Sequence, residues 1–305
     1  SISGDAGFSF YDGRSVSMLN FKKVKDISHL FHSASPGFNY IDTSTLKFFE
    51  LFKNSPIENA ESIFENSGVY KIGSDFEFIA NKAKNFKNAF KNININIDYS
   101  TTNWLFDNAE DTSSMFEDFK SFEIKLPNAT FAMFKNIKSL TTFDVNQATF
   151  AAAEDVSSMF EDVYYGDTLK MNSATFLAAK NASNMFKNSE IHSISFTSNV
   201  FKNLDNAESM FENAKSDNVA FSNTTFQNVK NTQNMFKSVE INTVSLPSAT
   251  FDSVVNANAM FMESKISTLH ISQATFANAE DISSMFENTP AELVDINLQS
   301  ATFAH

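Results

Sequence analysis

One spacing constrains this chain more than any other property. A leading Phe returns at Phe106, Phe150, Phe176, Phe201, Phe226, Phe251 and Phe276, in steps of 25 or 26 after the first. Ten residues after each stands a second Phe preceded by Met, giving Met115-Phe116, Met159-Phe160, Met185-Phe186, Met210-Phe211, Met235-Phe236, Met260-Phe261 and Met285-Phe286. Five residues after each leading Phe comes Asp or Asn: Asp111, Asp155, Asn181, Asn206, Asn231, Asn256 and Asp281. A period of this length marks a solenoid, in which no unit buries its apolar face alone and stacked units make a continuous core. Although 305 residues would ordinarily suggest two domains, an array grows by adding coils, so one continuous domain is expected.

Within a unit the apolar pattern changes period. Seven and five residues before Phe131, Phe150, Phe176, Phe201, Phe226, Phe251, Phe276 and Phe303 the positions are apolar: Ile124 and Leu126, Phe143 and Val145, Leu169 and Met171, Ile194 and Phe196, Val219 and Phe221, Val244 and Leu246, Leu269 and Ile271, Ile296 and Leu298, the second of each pair being expected to form one inward column. Alternation with period two predicts a short strand. The Asp or Asn ahead of the "SSMF" step is a good N-cap, which predicts one helical or 3-10 turn carrying Met and Phe inward. Each coil of about 25 residues is therefore expected to hold one short strand and one short helical segment, with successive strands paired in parallel. The fold class expected is an α/β repeat solenoid. After Gly73 only Gly166 remains, so the turns must be made by Asn, Asp and Ser, whose side chains support turn conformations.

Along the chain, residues 1–20 carry Gly4, Gly7 and Gly13 but no copy of the motif and read as an N-terminal lead-in or cap. Residues 21–105 hold degenerate repeats, beginning at "FKKVKDISHLF", where Phe21, Asp26 and Phe31 keep the columns. Residues 106–305 hold the regular repeats, with one shortened unit at Phe131 to Phe134 expected to keep its strand and lose its outer segment. About eleven coils are expected in all, and stacked strands would extend them to a body on the order of 50 Å.

Composition narrows the function. The formal charge of -13 argues against nucleic acid and anionic membrane surfaces, which bind clustered Lys and Arg. The lack of any apolar run near 18 residues argues against membrane insertion by this segment. With no Cys there is no disulfide, thiolate metal site or Cys nucleophile. His29 and His32 lie one helical turn apart, but no Asp or Cys completes a metal motif around them, so they are expected to be surface histidines. The Asp/Asn column could in principle supply oxygen ligands to Ca²⁺. Capping and an amide ladder are the expected reading, because Ca²⁺ needs six to eight oxygens around one point and most members are Asn. No catalytic constellation or phosphate loop is present, so neither an enzyme nor a cofactor is expected. The Met-Phe columns are expected to be core rather than a binding box.

The residues between the inward strand positions are the candidate ligand-binding set. Eight before each leading Phe they include Thr142, Thr168, Ser193, Asn218, Thr243 and Thr268, and six before it Lys125, Lys170, Ser195, Ser245 and His270. Alternation puts both columns on the outer face of the sheet, either as a merely solvated face or as a polar recognition surface.

The unit "INTVSLPSATFDSVVNANAMFMES", from Ile241 to Ser264, resembles the BspA-type leucine-rich repeats of bacterial and protist surface proteins. The "EDxSSMFEN" columns are similar to the "MF" repeat of mycoplasma-type surface lipoproteins. The likeness is clear over residues 100–303 and faint over 20–100. Units here are slightly longer, and Phe replaces most of the expected Leu. The resemblance implies leucine-rich-repeat-like coils in a secreted or cell-surface binding protein, often an adhesin, whose partner is a protein or glycan on another cell or surface. A structural spacer or a lattice- or filament-forming subunit associating with copies of itself is the alternative, and ice binding through the Thr/Ser column a third. Finally, the chain stops after "ATFAH" with its last strand uncovered, so either the array is expected to continue or this end is expected to dock on another subunit or domain.

Overall fold

In a computed structural model of the chain, the residues described are 21–34, 41–42, 48–95, 97–98, 104–106, 108–119, 123–125, 142–144, 154–170, 176, 178–197, 201–222, 226–246, 251–271, 275–289, 295–297 and 302–303. The lead-in at 1–20, the shortened unit at 131–134, and Leu126, Val145, Met171 and Leu298 of the expected inward column lie outside them.

The array is a parallel-strand solenoid. Strands β1 (Ile41–Asp42) and β2 (Val69–Lys71) pair with each other. A second sheet joins β3 (Ile97–Asp98), β4 (Glu123–Lys125) and β5 (Thr142–Asp144). The largest sheet has six parallel strands. They are β6 (Tyr164–Lys170), β7 (Glu190–Thr197), β8 (Lys215–Ser222), β9 (Glu240–Ser245), β10 (Lys265–His270) and, outermost, β12 (Asp295–Asn297). Between the last two in sequence, β11 (Thr275–Phe276) pairs with β13 (Thr302–Phe303).

The expected inward residues are inward. Leu169, Ile194, Val219, Val244 and Leu269 lie in one register and are buried, as are Phe196, Phe221, Leu246 and Ile271. The strands extend further toward their N-termini than the period-two pattern predicts. Ile191, Ile241 and Ile266, ten residues before the leading position, are also buried, with Ser216 in the same column and with Tyr165, eleven before Phe176, brought into it by a register shift in β6. Two outward residues lie between this column and the next inward one in β7–β10, and three in β6, where the register shifts, so the alternation breaks at the bend.

The Met-Phe segment is not helical, which corrects the expectation of a helical or 3-10 turn. Between residues 154 and 289 no described residue is helical. The 3-10 segments Phe48–Phe52 and Ser74–Phe76 and the short helix α1 (Glu77–Ala80) belong to the degenerate N-terminal part. Each Met-Phe segment is instead a run of overlapping β-turns. In the coil of Asn206, the amides of Met210, Glu212 and Ala214 donate to the carbonyls three residues back, on Ala207, Ser209 and Phe211. The alternate amides, of Ala207, Ser209, Phe211 and Asn213, donate at 2.8–2.9 Å to Asn231, Gln233, Met235 and Lys237 of the next coil. A helix spends its amides on its own fourth-preceding carbonyls. Here half of them bind coil to coil, as strands do. Two left-handed residues per coil make this possible, Ser209 (φ 55°) and Asn213 (φ 59°) in this one, and Asn, Ser and Asp supply most such positions, as the shortage of Gly requires.

Rings stack along the axis at the rise of one coil. Phe186, Phe211, Phe236 and Phe261 are spaced at 5.0, 5.1 and 5.4 Å with planes within 4° of parallel. The leading Phe residues form a second stack, Phe176 on Phe201 at 4.9 Å and Phe251 on Phe276 at 5.2 Å. Phe196 and Phe221 add a third, meeting the others edge-on. Each such pair adds about 0.5–1.5 kcal/mol beyond burial, so the Met-Phe columns are core ladders.

The Asp/Asn column forms the expected amide ladder, as a turn opener rather than a helix cap. Its members bridge one another in two runs, Asp26, Asn59, Asn85 and Asp111, then Asp155, Asn181, Asn206, Asn231, Asn256 and Asp281. The Asn206 side-chain oxygen accepts the Glu208 amide at 3.1 Å, while its amide donates to Asn181 Oδ1 at 3.2 Å.

Candidate functional site

The outer face of the six-stranded sheet gathers most of the candidate residues. Thr168, Ser193, Asn218, Thr243 and Thr268 occupy one register, continued by the backbone of Asp295. Lys170, Ser195, Ala220, Ser245 and His270 occupy a second, continued by Asn297. Strand pairing therefore brings them together at about 4.8 Å per step. Lys125 and Thr142 stand apart, in β4 and β5 of the three-stranded sheet. The two columns are half-buried, except for exposed Lys170. Part of their capacity is used internally, since the Ser193 hydroxyl donates to the Asn218 carbonyl at 3.4 Å.

Pattern reading missed the more exposed half of this face, because it stopped the strands too early. His192, Asp217, Asn242 and Ser267 form one further outward column, and Glu190, Lys215, Glu240 and Lys265 another. The latter alternates in sign and pairs with itself: Glu240 lies 3.2 Å from Lys215 and 3.0 Å from Lys265. Those two ammonium groups, Lys265 first, hold the Glu240 carboxyl below the ordinary carboxylate range. His192 lies 3.2 Å from Asp217, whose other oxygen accepts the Asn242 amide at 3.1 Å. Tyr164, in register with Glu190 at the edge strand, presents an aromatic ring that is 51% exposed. The alternating Glu-Lys column and this Tyr were present in the sequence as signals.

The face thus carries rows of neutral hydroxyl and amide groups beside charges that are already mutually paired. It has hydrogen-bonding capacity without a strong net field. Among the described residues no three His, Asp or Glu side chains converge as metal ligands would, and no helix is long and apolar enough to cross a membrane. His29 and His32 are surface residues in edge contact at 5.2 Å, with His32 Nε2 3.8 Å from Glu65. Comparison with family models, curated proteins and solved structures finds no match to this chain.

Proposed function

We propose that this chain is a non-enzymatic binding protein, secreted or displayed at a cell surface, that holds a glycan or protein on the outer face of its six-stranded sheet. The observation that carries this reading is the register of Thr168, Ser193, Asn218, Thr243 and Thr268, one neutral hydrogen-bonding side chain per strand. Repeated donors and acceptors on a rigid sheet suit a ligand that is itself a repeated array of hydroxyl or amide groups. Tyr164 adds an apolar ring of the kind that packs on a sugar face or a peptide side chain. The resemblance to BspA-type repeats supports the surface location, and on this reading the coils are a Phe-rich relative of the leucine-rich-repeat coil.

A glycan and protein array screen tests the reading. Thr168, Thr243 and Thr268 changed together to Trp, and separately Tyr164→Ala, should abolish or sharply weaken any ligand found. Binding unchanged by both would place the site elsewhere. A spacer or filament subunit is the second reading, and what favours it is the regular parallel stacking of one strand per coil in the six-stranded sheet.

A further inference from the structure

The charges on the sheet face form a self-complementary set. Along β7–β10 one outward column reads Glu190, Lys215, Glu240 and Lys265, changing sign at every strand. The column beside it carries Asp217 next to Asn242, flanked by His192 and Ser267. Pairing with one another does not bury these groups. His192, Asp217, Lys215, Glu240 and Lys265 keep between 46% and 68% of their side-chain surface exposed. Both columns lie at the N-terminal ends of the strands, next to turn segments that are themselves among the described residues. The chain as a whole carries a formal charge of -13, but these eight positions hold two Lys against two Glu and one Asp. A second copy of so acidic a protein meets little repulsion here.

An alternating row of even length has a particular symmetry. Turned about a two-fold axis that runs along the strands through the gap between β8 and β9, it is laid against itself in reverse order. Glu190 then meets Lys265 of the second copy, Lys215 meets Glu240, and the Asp217 carboxylate meets the Asn242 amide, each contact occurring twice. No like charges are opposed along either column. An axis through β8 or β9 itself would instead set Lys215 or Glu240 against its own counterpart. The gap between β8 and β9 is also the middle of the six-stranded sheet, so this register overlaps the two sheets most fully. It opposes the neutral columns as well, Ser193 to Thr268 and Asn218 to Thr243.

Six strands about 4.8 Å apart and about 20 Å long give a face of about 600 Å² a side, the lower end of the range for stable interfaces. In an isolated chain such exposed ion pairs contribute little. Across an interface the same charges fix the register and reject misaligned partners.

We propose that the protein partner of this face is a second copy of the chain, joined face to face about the gap between β8 and β9. The proposal rests on the outer sheet face being the recognition surface and names what that surface recognises. The contact is isologous, so it closes at two copies and does not propagate.

Sedimentation equilibrium on the full chain tests it, with Lys215→Glu, Glu240→Lys and the double exchange. Wild type should pass from monomer to dimer, and no further, as concentration rises. Each single reversal opposes like charges at both symmetry-related contacts and should weaken dimerisation at least roughly tenfold. A one-to-one mixture of the two single variants should regain the dimer, because each supplies the sign that the other has lost. The double exchange should regain it too, although it sets like charges side by side within the column of one chain. A role confined to pairing within the chain would give neither rescue. All the altered side chains are exposed, so circular dichroism should be unchanged. A dimer indifferent to the single reversals, the absence of both rescues, or assembly beyond two copies would overturn the proposal. A wild type that stays monomeric at all concentrations would overturn it as well, while the reading of the face as a ligand site stands or falls separately on the glycan and protein array.

Discussion

The two runs of the array solve the same stacking problem with different strands. From Asp155 to Asp281 the ladder advances in steps of 25 or 26, and five strands of six to eight residues stand side by side. From Asp26 to Asp111 the steps are 33, 26 and 26, and β1, β2 and β3 have only two or three residues. A 3-10 segment, a second 3-10 turn and α1 intervene. Yet the turn segments match. Ala60, Ser62, Phe64 and Asn66 donate to the next coil at 2.8–3.0 Å as their counterparts in the coil of Asn206 do, with left-handed residues at Ser62 and Asn66. Phe64 stacks on Phe90 at 5.5 Å and Phe90 on Phe116 at 5.2 Å. The difference teaches that the turn ladder sets the register of this solenoid, and that the strand side can be shortened or rebuilt around it.

The largest expected effect probes that equivalence. Phe211→Ala and Phe90→Ala each remove a buried ring stacked on both sides. Both should cost about 3–5 kcal/mol in denaturant unfolding. If the long strands rather than the turns carried stability, Phe90→Ala would be much the milder change.

Smaller losses are expected along the amide ladder. Asn206→Ala removes the acceptor for the Glu208 amide and the donor to Asn181, and Asn85→Ala removes the acceptor for Lys87 and the donor to Glu61. Each should cost about 1–2 kcal/mol, and a large disparity between them in thermal unfolding would separate the two runs.

The smallest effects differ in sign between the runs. Glu240 has a lowered pKa from Lys265 and Lys215, so its contribution is present above the ordinary carboxylate range and lost as pH falls through its folded value. Glu240→Gln should therefore weaken the fold slightly at neutral pH, by less than about 1 kcal/mol for so exposed a group, and have no effect in strong acid. Asp75 is pushed up by burial despite accepting the amides of Phe49 and Glu50. Its stabilising, protonated form is fully present below the unfolded pKa of about 3.9 and lost as pH rises through the raised value. Asp75→Asn should thus raise stability at neutral pH, with the gain vanishing in acid. Melting curves from pH 3 to 8, a span of roughly five units around these carboxylates, would show the opposing trends.

Much of this was legible in the sequence because a ladder demands the same residue once per coil. Phe196, Phe221, Val219 and Val244 could be placed from spacing alone. The strand extension could not, since its inward column mixes Tyr165, Ser216 and three Ile residues and the bend breaks the alternation. The turn ladder was hidden by a local ambiguity. Asp or Asn before an apolar pair reads as a helix start, because an Asx side chain satisfies an amide two residues on in either setting. The distinguishing signal was the second Asn, at Asn66, Asn92, Asn188, Asn213 and Asn288, four residues past the other left-handed position. Some of these form their own ladder, Asn213 donating to Asn188 Oδ1 at 3.1 Å.

Ala259 offers the most direct test of the turn ladder. It sits at φ 52°, where a Cβ is unfavourable, in a column otherwise filled by Asn, Ser or His29. Ala259→Gly should raise stability in denaturant unfolding by about 0.5–1 kcal/mol, because left-handed backbone costs a non-glycine residue about that much or more. Ala207→Gly, in the equivalent segment at a position without positive φ, should lower it by about 0.4–1 kcal/mol. If the segment were a helix, both changes would destabilise by about 1 kcal/mol; a loss at Ala259 would contradict the account.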